Sequence, residues 1–149
     1  MQAEVSVAQN VQYCTFKIGD DFYGIDVLRV QEVIKPLTLT DIPQSDKVVQ
    51  GLMNLRGIIV TQISLRTLFG MKEDENADHM NVIVNTSDGP LALKVDKIDD
   101  VQSMDLSSFE ATPDTLESHV KKFVKGIHKL DGRLLVILDL EKIEVYGED

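Results

Sequence analysis

The sequence has little cysteine and few aromatic residues: one cysteine, no tryptophan, three tyrosines and five phenylalanines. A single cysteine cannot form an internal disulfide, so packing must hold the fold together. With so few aromatic residues, the core must consist mainly of valine, isoleucine and leucine, which favours strands. Cys14 alternates with Phe16 and Ile18 on one face of a predicted strand. We therefore expect Cys14 to be a buried, unreactive thiol.

Basic residues are also in the minority, because 15 lysines and arginines face 25 acidic residues, giving a formal net charge of −10. This charge repels phosphate backbones and anionic lipid head groups, so nucleic acid and bare membrane are poor partners. No apolar run approaches the roughly 20 residues of a membrane helix. The N-terminus lacks the basic start and apolar stretch of a secretory signal. We expect a soluble cytoplasmic protein without direct membrane insertion.

The sequence lacks a convergent set of catalytic or metal-binding residues. His79, His119 and His128 are scattered, with no cysteine or histidine at metal-ligand spacing, so we expect surface or rim histidines. The acidic clusters do not follow the alternating pattern of a calcium loop. The nine glycines are spread singly, so no phosphate-binding loop is present. We expect no catalytic residue, no metal and no cofactor.

What the sequence does contain is an internal repeat, in which the apolar positions of two segments keep the same spacing. The matched segments are 23–27 with 91–95, 51–57 with 126–132, and 59–65 with 134–140. Gly57 and Gly132 fall between two strand-like runs, where a tight hairpin needs a residue that tolerates positive φ. The structure should therefore place these two glycines in equivalent hairpins.

The sequence pattern predicts about five short strands in each half of the chain. Helical signals are short and lie at 45–50, 65–69 and 118–124. Five strands with so little helix can hide their edges by closing into a small barrel. We predict an all-β protein whose sub-barrels span 11–77 and 78–146, with the boundary in the polar loop 71–79 and a loose tail at 1–10.

Arg56 is the residue that folding alone does not explain. It lies between the apolar strand-start 52–55 and the hairpin glycine Gly57, whereas the repeat has Asp131 at the matching position. Arg56 either braces the turn by hydrogen bonds to a carboxylate or carbonyls, or contacts a partner, and the two roles can coexist.

The residues Asn54-Leu55-Arg56-Gly57, followed by an apolar strand and Leu65-Arg66, resemble the signature hairpin of CheW-type chemotaxis coupling proteins. The similarity extends over 11–146 and includes 19–26, 30–34 and 126–140. The resemblance implies two five-stranded SH3-like barrels, packed side by side around a further hydrophobic core as one CheW-like domain. It also implies a scaffold without catalysis or cofactor. Because the sequence ends soon after Tyr146, we expect no response-regulator domain of the CheV type.

The resemblance implies two partners, which are the regulatory domain of a CheA-type histidine kinase and the helical-hairpin tip of a methyl-accepting chemoreceptor. The protein would then be recruited to receptor arrays at the inner face of the membrane. Thr61 and Ser64 depart from the family, which commonly has proline and aspartate there. An adaptor paralogue serving another two-component pathway is therefore the alternative.

We expect the receptor site in a groove between the barrels, because valine and isoleucine side chains can receive an amphipathic helix. A core role for about half of these apolar residues is the alternative, since strands alternate faces. Glu32 and Arg56 would fix the orientation of the partner rather than supply most of the affinity. The predicted receptor- and kinase-binding residues are Val30, Glu32, Val33, Asn54, Arg56, Gly57, Val95, Ile98 and Val101.

Overall fold

The computed structural model describes residues 9–43, 46–74 and 76–147, which contain twelve strands and three short α-helices. The strands are β1 Asn10–Ile18, β2 Asp21–Asp26, β3 Val30–Ile34, β4 Val49–Leu55, β5 Ile58–Ser64, β6 Met80–Thr86, β7 Gly89–Val95, β8 Lys97–Ile98, β9 Gln102–Asp105, β10 Phe109–Glu110, β11 Val124–Leu130 and β12 Arg133–Leu138. The helices are α1 Leu65–Leu68, α2 Ser118–Lys121 and α3 Leu140–Glu144.

The strands form two sheets, each a small SH3-like barrel. Barrel A has the order β10-β11-β12-β2-β1-β8, and β9 continues alongside β1, so β8 and β9 act as one interrupted strand. Barrel B has the order β3-β6-β7-β5-β4. The predicted all-β class with two barrels and a few short helices is confirmed.

The predicted division of the barrels into 11–77 and 78–146 is wrong. Barrel B combines β3, β4 and β5 with β6 and β7, which lie on the other side of that boundary. Barrel A combines the N-terminal β1 and β2 with β8 to β12. The reason is that the first hairpin of each repeat pairs with the last strand of the other repeat, so the two repeats exchange hairpins. A sequence repeat reveals which segments are equivalent, but not which of them pair.

The repeat itself appears in the register of the strands. Gly57 and Gly132 lie in equivalent hairpins, with φ of 91° and 82°, as predicted. Each barrel also has one parallel pair, β5 with β7 and β12 with β2, in matching register. The matched parallel pairs are Thr61 with Leu91 and Val136 with Tyr23, followed by Gln62 with Ala92 and Ile137 with Gly24.

Among the described residues, three apolar cores hold the molecule together. The largest lies between the barrels and takes side chains from both, among them Phe16 of β1 and Leu93 of β7. Smaller cores fill barrel B around Met53 and barrel A around Leu135. Cys14 belongs to the central core and is 6% exposed, which confirms its predicted burial.

Several local predictions need correction. Among the described residues of 45–50 there is no helix, because the Asp46 carboxylate accepts a bond from Val48 N at 3.0 Å and β4 begins at Val49. Helix α1 agrees with the predicted 65–69, while α2 is shorter than 118–124. Of the predicted tail, Asn10 belongs to β1, Gln9 O accepts a bond from Leu106 N at 2.7 Å, and 1–8 lie outside the described residues.

Candidate functional site

The chain reverses direction between β4 and β5 at Arg56 and Gly57, whose φ angles are 52° and 91°. Two successive positive φ values are the mark of a type I′ turn, whose twist matches that of the flanking strands. The Asn54 side chain closes the turn, because its Oδ1 accepts a hydrogen bond from Gly57 N at 2.7 Å. This side-chain hydrogen bond stabilises the turn.

The guanidinium of Arg56 forms an ion pair with the carboxylate of Glu32 on β3. Glu32 also accepts a hydrogen bond from Gln31 Nε2 at 3.3 Å, and the bonds from Arg56 and Gln31 lower the pKa of its carboxyl group. The Arg56 side chain nevertheless remains 66% exposed. Arg56 is thus oriented by a carboxylate and still open to a partner, so the two roles considered for it are compatible.

The backbone of Arg56 is unusual among the described residues, since no other non-glycine residue there has a positive φ. The left-handed region costs an ordinary L-residue about 1 kcal/mol, whereas aspartate and asparagine tolerate it better. In the equivalent hairpin, Gly132 has a positive φ but Asp131 does not. The residue less suited to this conformation therefore occupies it.

Exposed apolar residues lie next to this hairpin. Ile58 and Ile59 follow Gly57 directly, and both are exposed. Ile59 also lines a cavity of about 490 Å³ together with Leu91 and Glu144. We call Glu32, Arg56, Ile58 and Ile59 the hairpin surface. Sequence reasoning missed the two isoleucines, although two successive isoleucines after a tight turn signal that one must face outward.

The other predicted contact residues divide between core and surface. Val95 is 1% exposed and lies in the central core, so its assignment to a binding groove was wrong. Val95 and Leu93 lie on the same face of β7, and the other barrel covers that face. A sequence pattern does not reveal which face of a strand is covered in this way. Val30 and Ile98 are partly buried against the central core, while Val101 is 54% exposed.

The predicted segments also belong to different barrels, since β3 pairs with β6 in barrel B and β8 pairs with β1 in barrel A. Val30 and Ile98 thus border the same central core from two sides. Val33 on β3 is exposed at 36% and lies beside Glu32 in the sequence.

Within the described ranges, no three histidine, cysteine, aspartate or glutamate side chains are grouped so that they could hold a metal ion. In that same part of the chain no helix has the length and apolarity to span a membrane.

Comparison with known proteins places these features in a family. The family model described as "CheW-like domain" matches residues 12–145. The chemotaxis protein CheW of Helicobacter pylori is 33% identical over 134 residues, covering 89% of this chain and 81% of the relative. That of Klebsiella aerogenes is 30% identical over 135 residues, covering 89% and 80%.

A solved structure agrees with the sequence comparisons. The crystal structure of the scaffolding protein TtCheW from Thermoanaerobacter tengcongensis is similar with a TM-score of 0.78 and 30% identity, over 86% of this chain and 88% of that one. The family match over residues 12–145 includes Glu32, the Arg56-Gly57 hairpin and strands of both barrels. The chain therefore belongs to the CheW family of chemotaxis coupling proteins.

Proposed function

We propose that this protein is a non-enzymatic adaptor that couples methyl-accepting chemoreceptors to a CheA-type histidine kinase. The observation that carries the proposal is Arg56, an exposed arginine held in a left-handed conformation by the hairpin and oriented by Glu32. Backbone strain that the fold maintains is frequently associated with function. Family membership supplies the biological setting, which is chemotaxis.

The hairpin surface has the composition of a protein contact. Arginine is enriched at binding hot spots, which are surrounded by contacts that exclude water, and the exposed Ile58 and Ile59 can supply such contacts. Because Glu32 already orients Arg56, less side-chain freedom is lost when a partner binds. We assign this surface to one of the two protein partners, with the regulatory domain of the kinase as the first candidate.

For the receptor we propose the border of the central core, where Val30 and Ile98 are partly buried and Val33 and Val101 are exposed. The receptor tip is a helical hairpin, and its apolar stripe would pack on these aliphatic side chains. Binding there would recruit the protein to receptor arrays at the inner face of the membrane.

The test replaces Arg56 by asparagine, which suits a left-handed turn position but lacks the guanidinium. We expect Arg56→Asn to keep or raise the thermal midpoint, since relief of the backbone is worth about 1 kcal/mol. Binding to kinase or receptor fragments should weaken by about 1 to 3 kcal/mol. Calorimetry for unfolding and for binding, on the same preparations, measures both effects.

Asp131→Asn in the equivalent hairpin is the matched control and should change neither quantity. Glu32→Ala should weaken binding less than Arg56→Asn, because it frees the guanidinium without removing it. If Arg56→Asn lowers the thermal midpoint and the folded protein binds normally, Arg56 is only a brace and the proposed surface is wrong.

A further inference from the structure

Within the described residues the chain passes between the barrels at two places. After β2 it leaves barrel A through the 3-10 turn Val27–Arg29 and enters barrel B at β3. After β7 it returns through the single residue Asp96 and enters barrel A at β8. These two crossings are the covalent links between the barrels, so their side chains can influence how the barrels are oriented.

Asp96 is tied to both barrels. Its carboxylate accepts two bonds from Arg66 of α1, from Nε at 2.8 Å and from Nη2 at 2.6 Å. The same carboxylate accepts a bond from Gly19 N at 2.7 Å, in the turn between β1 and β2, and Asp96 N donates to Lys17 O at 3.1 Å. Burial alone would raise the pKa of Asp96, but the bonds from Arg66 and Gly19 lower it, so the group is held ionised.

The other crossing also forms an ion pair with a helix, but with the charges reversed. Here the crossing supplies the cation, Arg29, and the helix supplies the anion, Glu144 of α3, at 3.3 Å. Arg29 also donates to Asn85 O of β6 in barrel B, from Nη2 at 2.9 Å and Nε at 3.2 Å. Helices α1 and α3 are equivalent, because each follows the last strand of a repeat. The molecule thus has an ion pair at each crossing.

We propose that these two ion pairs are positioning elements that fix the angle between the barrels, with Asp96–Arg66 as the stronger. The apolar core between the barrels opposes separation, but apolar burial is non-directional. A forked, charge-assisted pair adds the geometric constraint that such packing lacks. This inference rests on the proposed function, because an adaptor with contact residues on both barrels needs those residues at a fixed spacing.

The test measures barrel orientation directly. In the full-length protein, residual dipolar couplings of backbone amides should fit one alignment tensor in the wild type. In Asp96→Asn, the couplings of barrel A and barrel B should require two different tensors. Binding of a receptor fragment, whose proposed site takes residues from both barrels, should weaken about fivefold or more. Arg66→Lys keeps the charge but loses the fork, and should give a smaller change in the same direction.

Lys129→Gln is the matched control, because it removes an ion pair with Glu110 that lies wholly within barrel A. It should leave a single tensor and normal binding. The proposal is overturned if the couplings of Asp96→Asn and Arg66→Lys still fit one tensor with the barrels in their wild-type orientation. This holds even if both variants have a lower thermal midpoint. The couplings need no partner, so this result would leave the adaptor function standing.

Discussion

At the scale of single residues, His128 shows how the two barrels have diverged inside. It is fully buried in barrel A, so the expectation of a surface or rim histidine was wrong for this residue. Its Nδ1 lies 2.8 Å from Ser108 Oγ, and its Nε2 lies 3.2 Å from the Tyr13 hydroxyl. Met53 is at the equivalent position of barrel B. Burial lowers the pKa of His128, although Ser108 and Glu110 oppose this effect, so the folded state favours the neutral imidazole.

This burial predicts an acid-sensitive stability. The unfolded chain takes up a proton on His128 near its ordinary pKa of about 6.5, while the folded chain does so only at lower pH. The free energy of unfolding should therefore fall as pH decreases from about 6.5 toward the folded-state pKa. Urea denaturation from pH 7.5 to 5 measures the slope, and His128→Met should flatten it.

Burial also lowers the pKa of His79, so His79→Gln gives the second contribution to the slope. In His128→Met the unpaired Tyr13 hydroxyl should lower the free energy of unfolding at every pH. It should not change the slope, because the tyrosine pKa of about 10, which burial raises further, lies above this pH range. An unaltered slope in His128→Met would show that His128 accepts its proton equally well in both states.

At the scale of elements, the start of α1 differs from the start of the equivalent helix α3. Ser64 caps the helix by accepting a bond from Thr67 N at 3.2 Å, and its hydroxyl donates to the Glu73 carboxylate. Glu73 also accepts from Lys94 Nζ at 2.9 Å. Asp139, the equivalent of Ser64, caps α3 by accepting from Glu141 N at 3.1 Å. Ser64 thus caps α1 as Asp139 caps α3, while Glu73 supplies a carboxylate beside the cap.

From this geometry we predict that aspartate, the residue type of the equivalent Asp139, is harmful at position 64. Ser64→Asp would bring two carboxylates together in a partly buried site, and should lower the free energy of unfolding by about 1 to 3 kcal/mol. Adding Glu73→Gln should recover much of the loss, since one of the two charges is gone. Thermal denaturation of both single variants and the double variant gives the coupling energy. Equal stability of Ser64→Asp and wild type would contradict the proposed role of Glu73.

The elements also show how far the sequence could predict the structure. The hairpins at Gly57 and Gly132 were predictable, because a turn and its flanking alternation are local. Arg56 was recognisable because it interrupted an apolar pattern. Val95 was misassigned, since alternation gives the face of a strand but not what covers it. The partner of β7 was not predictable either, because its parallel pairing with β5 depends on contacts distant in sequence.

At the scale of the whole molecule, the exchange of hairpins makes the two barrels interdependent. Barrel A cannot form from one half of the chain, because β2 pairs with β12 across more than a hundred residues. The central core takes buried side chains from both barrels, so neither barrel alone could hide its apolar outer face. We therefore expect the folding unit to be the pair of barrels.

We accordingly predict one cooperative unfolding transition. Leu93 is fully buried on β7 of barrel B and packs in the central core. Leu93→Ala should lower the free energy of unfolding by about 2 to 5 kcal/mol. Native-state hydrogen exchange should show this loss equally for the slowest amides of β6 in barrel B and of β12 in barrel A, because both exchange through the same global opening. A loss confined to barrel B would mean that each barrel is stable by itself, since the shared core would then not couple them.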